Sequence, residues 1–227
     1  MDAKWKRRLM GTAMILVAGM GCNPILAPFL LGRDDSRTPA EFALKVPPER
    51  AKKSEDARVV VLVSTAPGLI DLIGIDKTIS NDLVKTLDEA LKSNKEKVTI
   101  IPSLQVEKWK SDNPGWKLLS PVEIGQKFKA DYVINLEVQA MQLYQPLTRN
   151  QFFQGKAVLD LSAYDMAKGT EVPDFKTELN QEYPKGHGID ASELTQSKFK
   201  SEFVKRIVND IAWKFTPHET KDRFTGE

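Results

Sequence analysis

The chain has 227 residues, 41% hydrophobic and 28% charged, ordinary values for a protein that builds a packed core. Its net charge is +2, of which Lys4, Lys6, Arg7 and Arg8 against Asp2 account for +3, so the remainder sits near −1. A body so close to neutral lacks the basic footprint of a nucleic-acid binder. The single cysteine, Cys22, excludes an internal disulfide and a thiol-rich metal site.

The first residues fall into three parts. "MDAKWKRR" is basic, "LMGTAMILVAG" is an apolar run of about eleven residues, and "GMGC" places small residues before the cysteine. Three readings export the rest of the chain. Cys22 is a lipid-attachment site, or residues 9–31 remain as an uncleaved membrane anchor of about 23 residues, or a plain secretory signal is cut nearby. A buried structural cysteine fits poorly beside a basic start. The arrangement resembles a bacterial lipoprotein signal, although Gly19 and Met20 stand where that family usually has Leu and a small residue. The resemblance implies that residues 1–21 are removed and that Cys22, acylated on sulfur, begins the mature chain.

Residues 22–57 read as the lipidated Cys followed by a tether, with room for a short amphipathic piece around "PAEFALKV". Five of the thirteen prolines fall there, and proline at that density blocks regular structure. The globular body is expected over 58–217, with a polar tail at 218–227. "RVVVLVST" (58–65) reads as a strand buried on both faces. Over 76–93, Ile79, Leu83, Leu87 and Leu91 recur every four residues, which predicts an amphipathic helix. "KVTIIPS" (97–103) gives a second strand, and the β-α-β order makes the two strands parallel.

"SPVEIGQKFKA" (120–130) predicts a helix that starts at Ser120, with Pro121 at its first position and Glu123 completing a capping box. "DYVINLEVQAMQLYQ" (131–145) and "GKAVLDLSAYDM" (155–166) alternate apolar and polar, and "AKGTEV" turns into "EVPDFKTELNQEY". Such strands with short connections pair antiparallel and leave one face wet. Phe199, Phe203, Ile207, Ile211 and Phe215 then mark one stripe of a C-terminal helix over 192–215. The fold class expected is α/β (α+β): a single mixed sheet with an N-terminal β-α-β unit, an antiparallel hairpin and a C-terminal packing helix.

Catalytic patterns are absent from the sequence. It contains no G-x-S-x-G, H-E-x-x-H, G-x-x-x-x-G-K-[ST] or G-x-G-x-x-G. His187, in "PKGHGID", lies near Asp190 and Glu193, but no second ligand accompanies it, so a solvated loop histidine is expected. Asp160, Asp165 and Glu137 read as acids on the wet face of a sheet. Trp109 and Trp116 bracket a turn-rich stretch, as an aromatic platform or as anchors to the core. The loop "STAPGLIDLIGID" (64–76) is more unusual. Its Leu69, Ile70, Leu72 and Ile73 either fold back into the core or form a docking surface.

The order of "RVVVLVS", "ISNDLVKTLDEALKS", "KVTIIPS", "VEIGQKFKADYVINLEV" and "KAVLDLSAYDMAKGTEV" resembles a group of bacterial envelope proteins. These are the curli-secretion CsgG family, the amino-terminal domain of TolB and the Lpo lipoproteins. The resemblance implies an anticodon-binding-domain-like fold. It also implies a module that is not an enzyme, needs no cofactor and works by protein contact at the cell envelope, facing the periplasm. Its partners would be a membrane, through the N-terminal lipid, and an envelope protein or further copies of itself. Membership of an envelope export complex and small-ligand binding through His187 are the alternatives.

Overall fold

The computed structural model describes residues 37–67 and 72–219. Cys22, and with it the lipid-attachment expectation, lies outside the described residues. The described chain belongs to one unit that begins at Arg37.

The β-branched run forms β2 (Ala57–Thr65), with Val59, Val60, Val61 and Val63 wholly inaccessible to water. An amphipathic helix follows, α2 (Ile75–Ser93), and buries Ile75, Ile79, Leu83, Leu87 and Leu91. It leads to β3 (Val98–Ile100), which pairs parallel with β2 as expected. Helix α3 (Ser103–Asp112) comes next, then a single 3₁₀ turn at Trp116–Leu118 and helix α4 (Pro121–Phe128). The Ser120 hydroxyl accepts from Glu123 N–H while the Glu123 carboxylate accepts from Ser120 N–H, the capping box written in the sequence.

Strand β4 (Tyr132–Tyr144) lies parallel to β2 on its other side, and β5 (Phe152–Asp165) returns antiparallel to β4. Strand β6 (Phe175–Tyr183) is antiparallel to β5, and a short β7 (Ile189–Asp190) pairs with the start of β5. The six-stranded mixed sheet therefore runs β3-β2-β4-β5-β6, with β7 beside β5. Helix α5 (Gln196–Phe215) closes one face of it. The fold is the expected mixed α+β arrangement.

The sheet separates two apolar layers of different size. On one face α2 and α5 cover β2, β4 and β5, and the whole predicted stripe from Phe199 to Phe215 is buried there. Phe153 and Phe199 stack with centroids 4.8 Å apart, and Phe203 continues the row. Opposite, α3 and α4 cover only part of the sheet, through Val60, Leu62, Val106, Ile124, Phe128 and Val133. Beyond them, β4, β5 and β6 present a polar surface in which Gln139 donates to Asp160 and Lys156 pairs with Glu182.

The expectation of a tether running to residue 57 is corrected by the structure. A short strand β1 (Arg37–Thr38) pairs antiparallel with β8 (His218–Glu219), which also takes the first two residues of the supposed polar tail into the fold. Phe42 N–H donates to Lys214 O, and the Phe42 ring packs edge-on against Tyr132 and Phe215. Leu44 is buried, and Tyr132 Oη donates to Lys45 O. The prolines Pro47 and Pro48 begin helix α1 (Pro48–Lys52) rather than preventing order, since proline suits a first helical position. Apolar burial against α5 outweighs the local composition.

Candidate functional site

The connection from β2 through α2 crosses one face of the sheet, and the connection from β3 through α3 and α4 crosses the other. Helices leaving to opposite faces open a crevice at the carboxyl ends of the strands. A cavity of about 300 Å³ lies there, lined by Ser64, Thr65, Trp116, Asn135, Glu137 and their neighbours.

Lys110 supports this end of the sheet. It is buried, and its Nζ donates to Val63 O at 2.8 Å and to Glu107 Oε1 at 2.7 Å while lying 4.7 Å from the centre of the Trp116 ring. The ammonium thus satisfies a strand carbonyl beyond the short β3, so α3 caps an exposed length of β2. Sequence reasoning missed Lys110. The only local signal was the Glu107–Lys110 spacing of three residues. Trp109 meets Phe128 edge-on at 5.4 Å, and Trp116 lies under Lys110. Both tryptophans act as anchors in the smaller apolar layer rather than as an open platform.

The candidate docking loop divides. Leu69 and Ile70 lie outside the described residues. Leu72 folds back into the larger core and is 8% exposed, because the chain must turn inward there to start α2 at Ile75. Gly74 makes that turn at φ +76°, a conformation that favours glycine. Ile73 points the other way, 89% exposed, and Leu118, beside the cavity, is 91% exposed.

The open sheet face carries a second, wider hollow of about 650 Å³ over Gln139, Gln142, Lys156, Val158, Asn180 and Glu182. A register shift between Val138 and Ala140 in β4 bends the sheet beneath it. Several of its polar groups are paired, within the hollow or with residues around it. Gln139 with Asp160, Lys156 with Glu182 and Gln154 with Glu182 are the contacts that set their positions.

Neither histidine meets a reactive partner. His187, Asp190 and Glu193 are all exposed and line neither cavity. The Asp190 carboxylate accepts from Ser192 N–H at 2.8 Å and from Ser192 Oγ at 2.7 Å, which holds it below the ordinary aspartate value. His218 is buried, stacked on Trp213 at 5.0 Å, with Nδ1 3.4 Å from Thr216 O. Among the described residues no group of three His, Cys, Asp or Glu is placed to hold a metal ion. Among them, too, no helix is long and apolar enough to cross a membrane.

A more heavily tied acid sits where the N-terminal segment meets the sheet. Asp131 Oδ2 accepts from Arg58 N–H at 2.7 Å and lies 2.5 Å from Arg50 Nε. Arg50 also bonds Glu55 and Lys129 O. Its hydrogen bond with Asp131 raises the guanidinium pKa above the ordinary value against the opposing effect of burial. The cluster locks α1 to the start of β4.

No family model matches the chain, and no curated protein matches it. Several solved structures are similar in outline. One is the lipoprotein GNA1162 from Neisseria meningitidis, at 17% identity and TM-score 0.42, covering 69% of this chain and 98% of that one. A second is protein XCC0632 from Xanthomonas campestris, at 8% identity and TM-score 0.42, covering 83% and 97%. A third is the PelC dodecamer from Paraburkholderia phytofirmans, at 13% identity and TM-score 0.40, covering 76% and 92%.

Proposed function

We propose that the chain is an exported lipoprotein of the bacterial cell envelope, anchored by a lipid on Cys22, whose folded body faces the periplasm and works by protein contact rather than catalysis. The observation that carries this reading is the order of charge and polarity before Cys22, a basic start, an apolar run and small residues. The body fits such a role. It is near neutral, and it exposes Ile73 and Leu118 at the carboxyl end of its parallel strands. Its buried polar groups, Lys110 and His218 among them, serve packing and main-chain satisfaction.

The anchor also sets a distance. From Cys22 to Arg37 the chain reaches at most about 50 Å, counting ~3.5 Å per residue. The body therefore works close to its membrane. Acyl chains contribute roughly 0.8 kcal/mol per buried CH₂, so two or more give stable attachment.

Replacing Cys22 by Ser tests the reading. The variant is expected to leave the membrane fraction, and the natural chain to stay there through an alkaline wash. A natural chain that retains residues 1–21 in the membrane fraction instead establishes an uncleaved anchor over 9–31.

A further inference from the structure

Strand β6 is an edge of the sheet, and its main chain has a definite outward side. Met166 N–H donates to Asp131 O, and Gln145 N–H donates to Phe152 O. Even-numbered residues of β5 therefore turn their main-chain groups toward β4, and odd-numbered ones turn theirs toward β6. The unbroken β5–β6 register pairs those odd positions with Phe175, Thr177, Leu179, Gln181 and Tyr183. Lys176, Glu178, Asn180 and Glu182 consequently aim N–H and C=O groups away from the sheet. This edge is nine residues long, contains no proline or register shift, and is bounded by Pro173 and Pro184. Proteins usually blunt an edge of that length with a proline, a bulge or charged side chains, and of these β6 carries only the charges Lys176, Glu178 and Glu182.

We propose that β6 pairs antiparallel with β6 of a second copy, about a two-fold axis at Leu179, joining two sheets into one. What supports the pairing is the self-complementarity of "FKTELNQEY". Centred on Leu179, Lys176 stands opposite Glu182 of the second copy, Glu178 opposite Asn180, and Phe175 opposite Tyr183, each pair occurring twice. Opposite charges and paired aromatics are favourable across strands. The outward-facing residues are the ones that meet, so the hydrogen-bonding parity agrees with this register.

Other registers are worse. A shift of two residues one way sets Glu178 against its own copy and Asp174 against Glu182. The same shift the other way sets Glu178 against Glu182 and Lys176 against Pro184, which has no N–H to give. A shift of one residue turns the wrong main-chain groups toward each other.

This inference goes beyond the lipid anchor, and either stands without the other. The test is sedimentation of the full chain in mild detergent, with thermal unfolding run alongside. The natural chain is expected at the mass of two copies. Asn180→Pro deletes an outward N–H that the sheet itself does not use, and should give one copy that still unfolds in a single cooperative transition. Lys176→Glu and Glu182→Lys each set like charges against each other and should be single copies alone. Mixed in equal amounts, these two variants should form a heterodimer, because each then meets the opposite charge. A natural chain found as a single copy overturns the proposal. So does an assembly that Asn180→Pro leaves unchanged, or a mixture of the two charge variants that fails to associate.

Discussion

Asp174, just before β6, accepts from Asp165 N–H at 2.7 Å and from the Lys168 ammonium. Burial alone would raise its pKa, but the ammonium and the amide outweigh it and hold the carboxyl below the ordinary value of 3.8. A carboxyl with a lowered folded pKa stabilises the fold fully above its unfolded pKa, and that contribution fades as pH falls through the folded value. Asp174→Asn should therefore melt below the natural chain at neutral pH, with the gap closing below the ordinary aspartate range. Melting curves of both chains between neutral and strongly acid pH measure this. A gap that stays constant across the range contradicts it. At this scale the sequence was legible where partners are close in the chain. The Ser120–Glu123 box could be read because it spans three residues. Lys110 could not, since Val63 O lies 47 positions away. Nor did "LIDLI" show that Leu72 turns in and Ile73 out, because a loop has no period to sort them.

At the scale of elements, α5 lies over β4 and β5 and needs room beneath it. Gly155 of β5 supplies that room. A Cβ built there would lie 2.7 Å from the Phe203 ring, and the ring is wholly buried in the Phe153–Phe199–Phe203 row. Gly155→Ala should cost about 1–3 kcal/mol by overpacking, and Phe203→Ala about 3–5 kcal/mol by leaving a cavity. The double variant should cost less than the two added together, because removing the ring removes the clash. Urea unfolding of the four chains gives these numbers, and strict additivity would contradict the contact. The α5 and α2 stripes were readable because long amphipathic helices repeat their pattern. Helix α3 was not, since it buries only Val106 and Lys110 and shows almost no stripe. The order in residues 37–56 was hidden for another reason: Phe42 and Tyr132 meet across 90 positions.

The whole molecule joins a parallel half, β3-β2-β4, to an antiparallel half, β4-β5-β6. Helices cover the first half on both faces, while the second half leaves one polar face open. Pairing of β1 with β8 brings Arg37, where the link from Cys22 arrives, beside Glu219. On the proposed reading, the body is held near the membrane at the place where its two ends meet. The central claim is the lipid on Cys22, and mass spectrometry of the N-terminal peptide from membrane-extracted protein tests it most directly. A mature chain that begins at Cys22 and carries acyl groups on that residue is the predicted result. A chain that retains residues 1–21, or an unmodified Cys22, would contradict it.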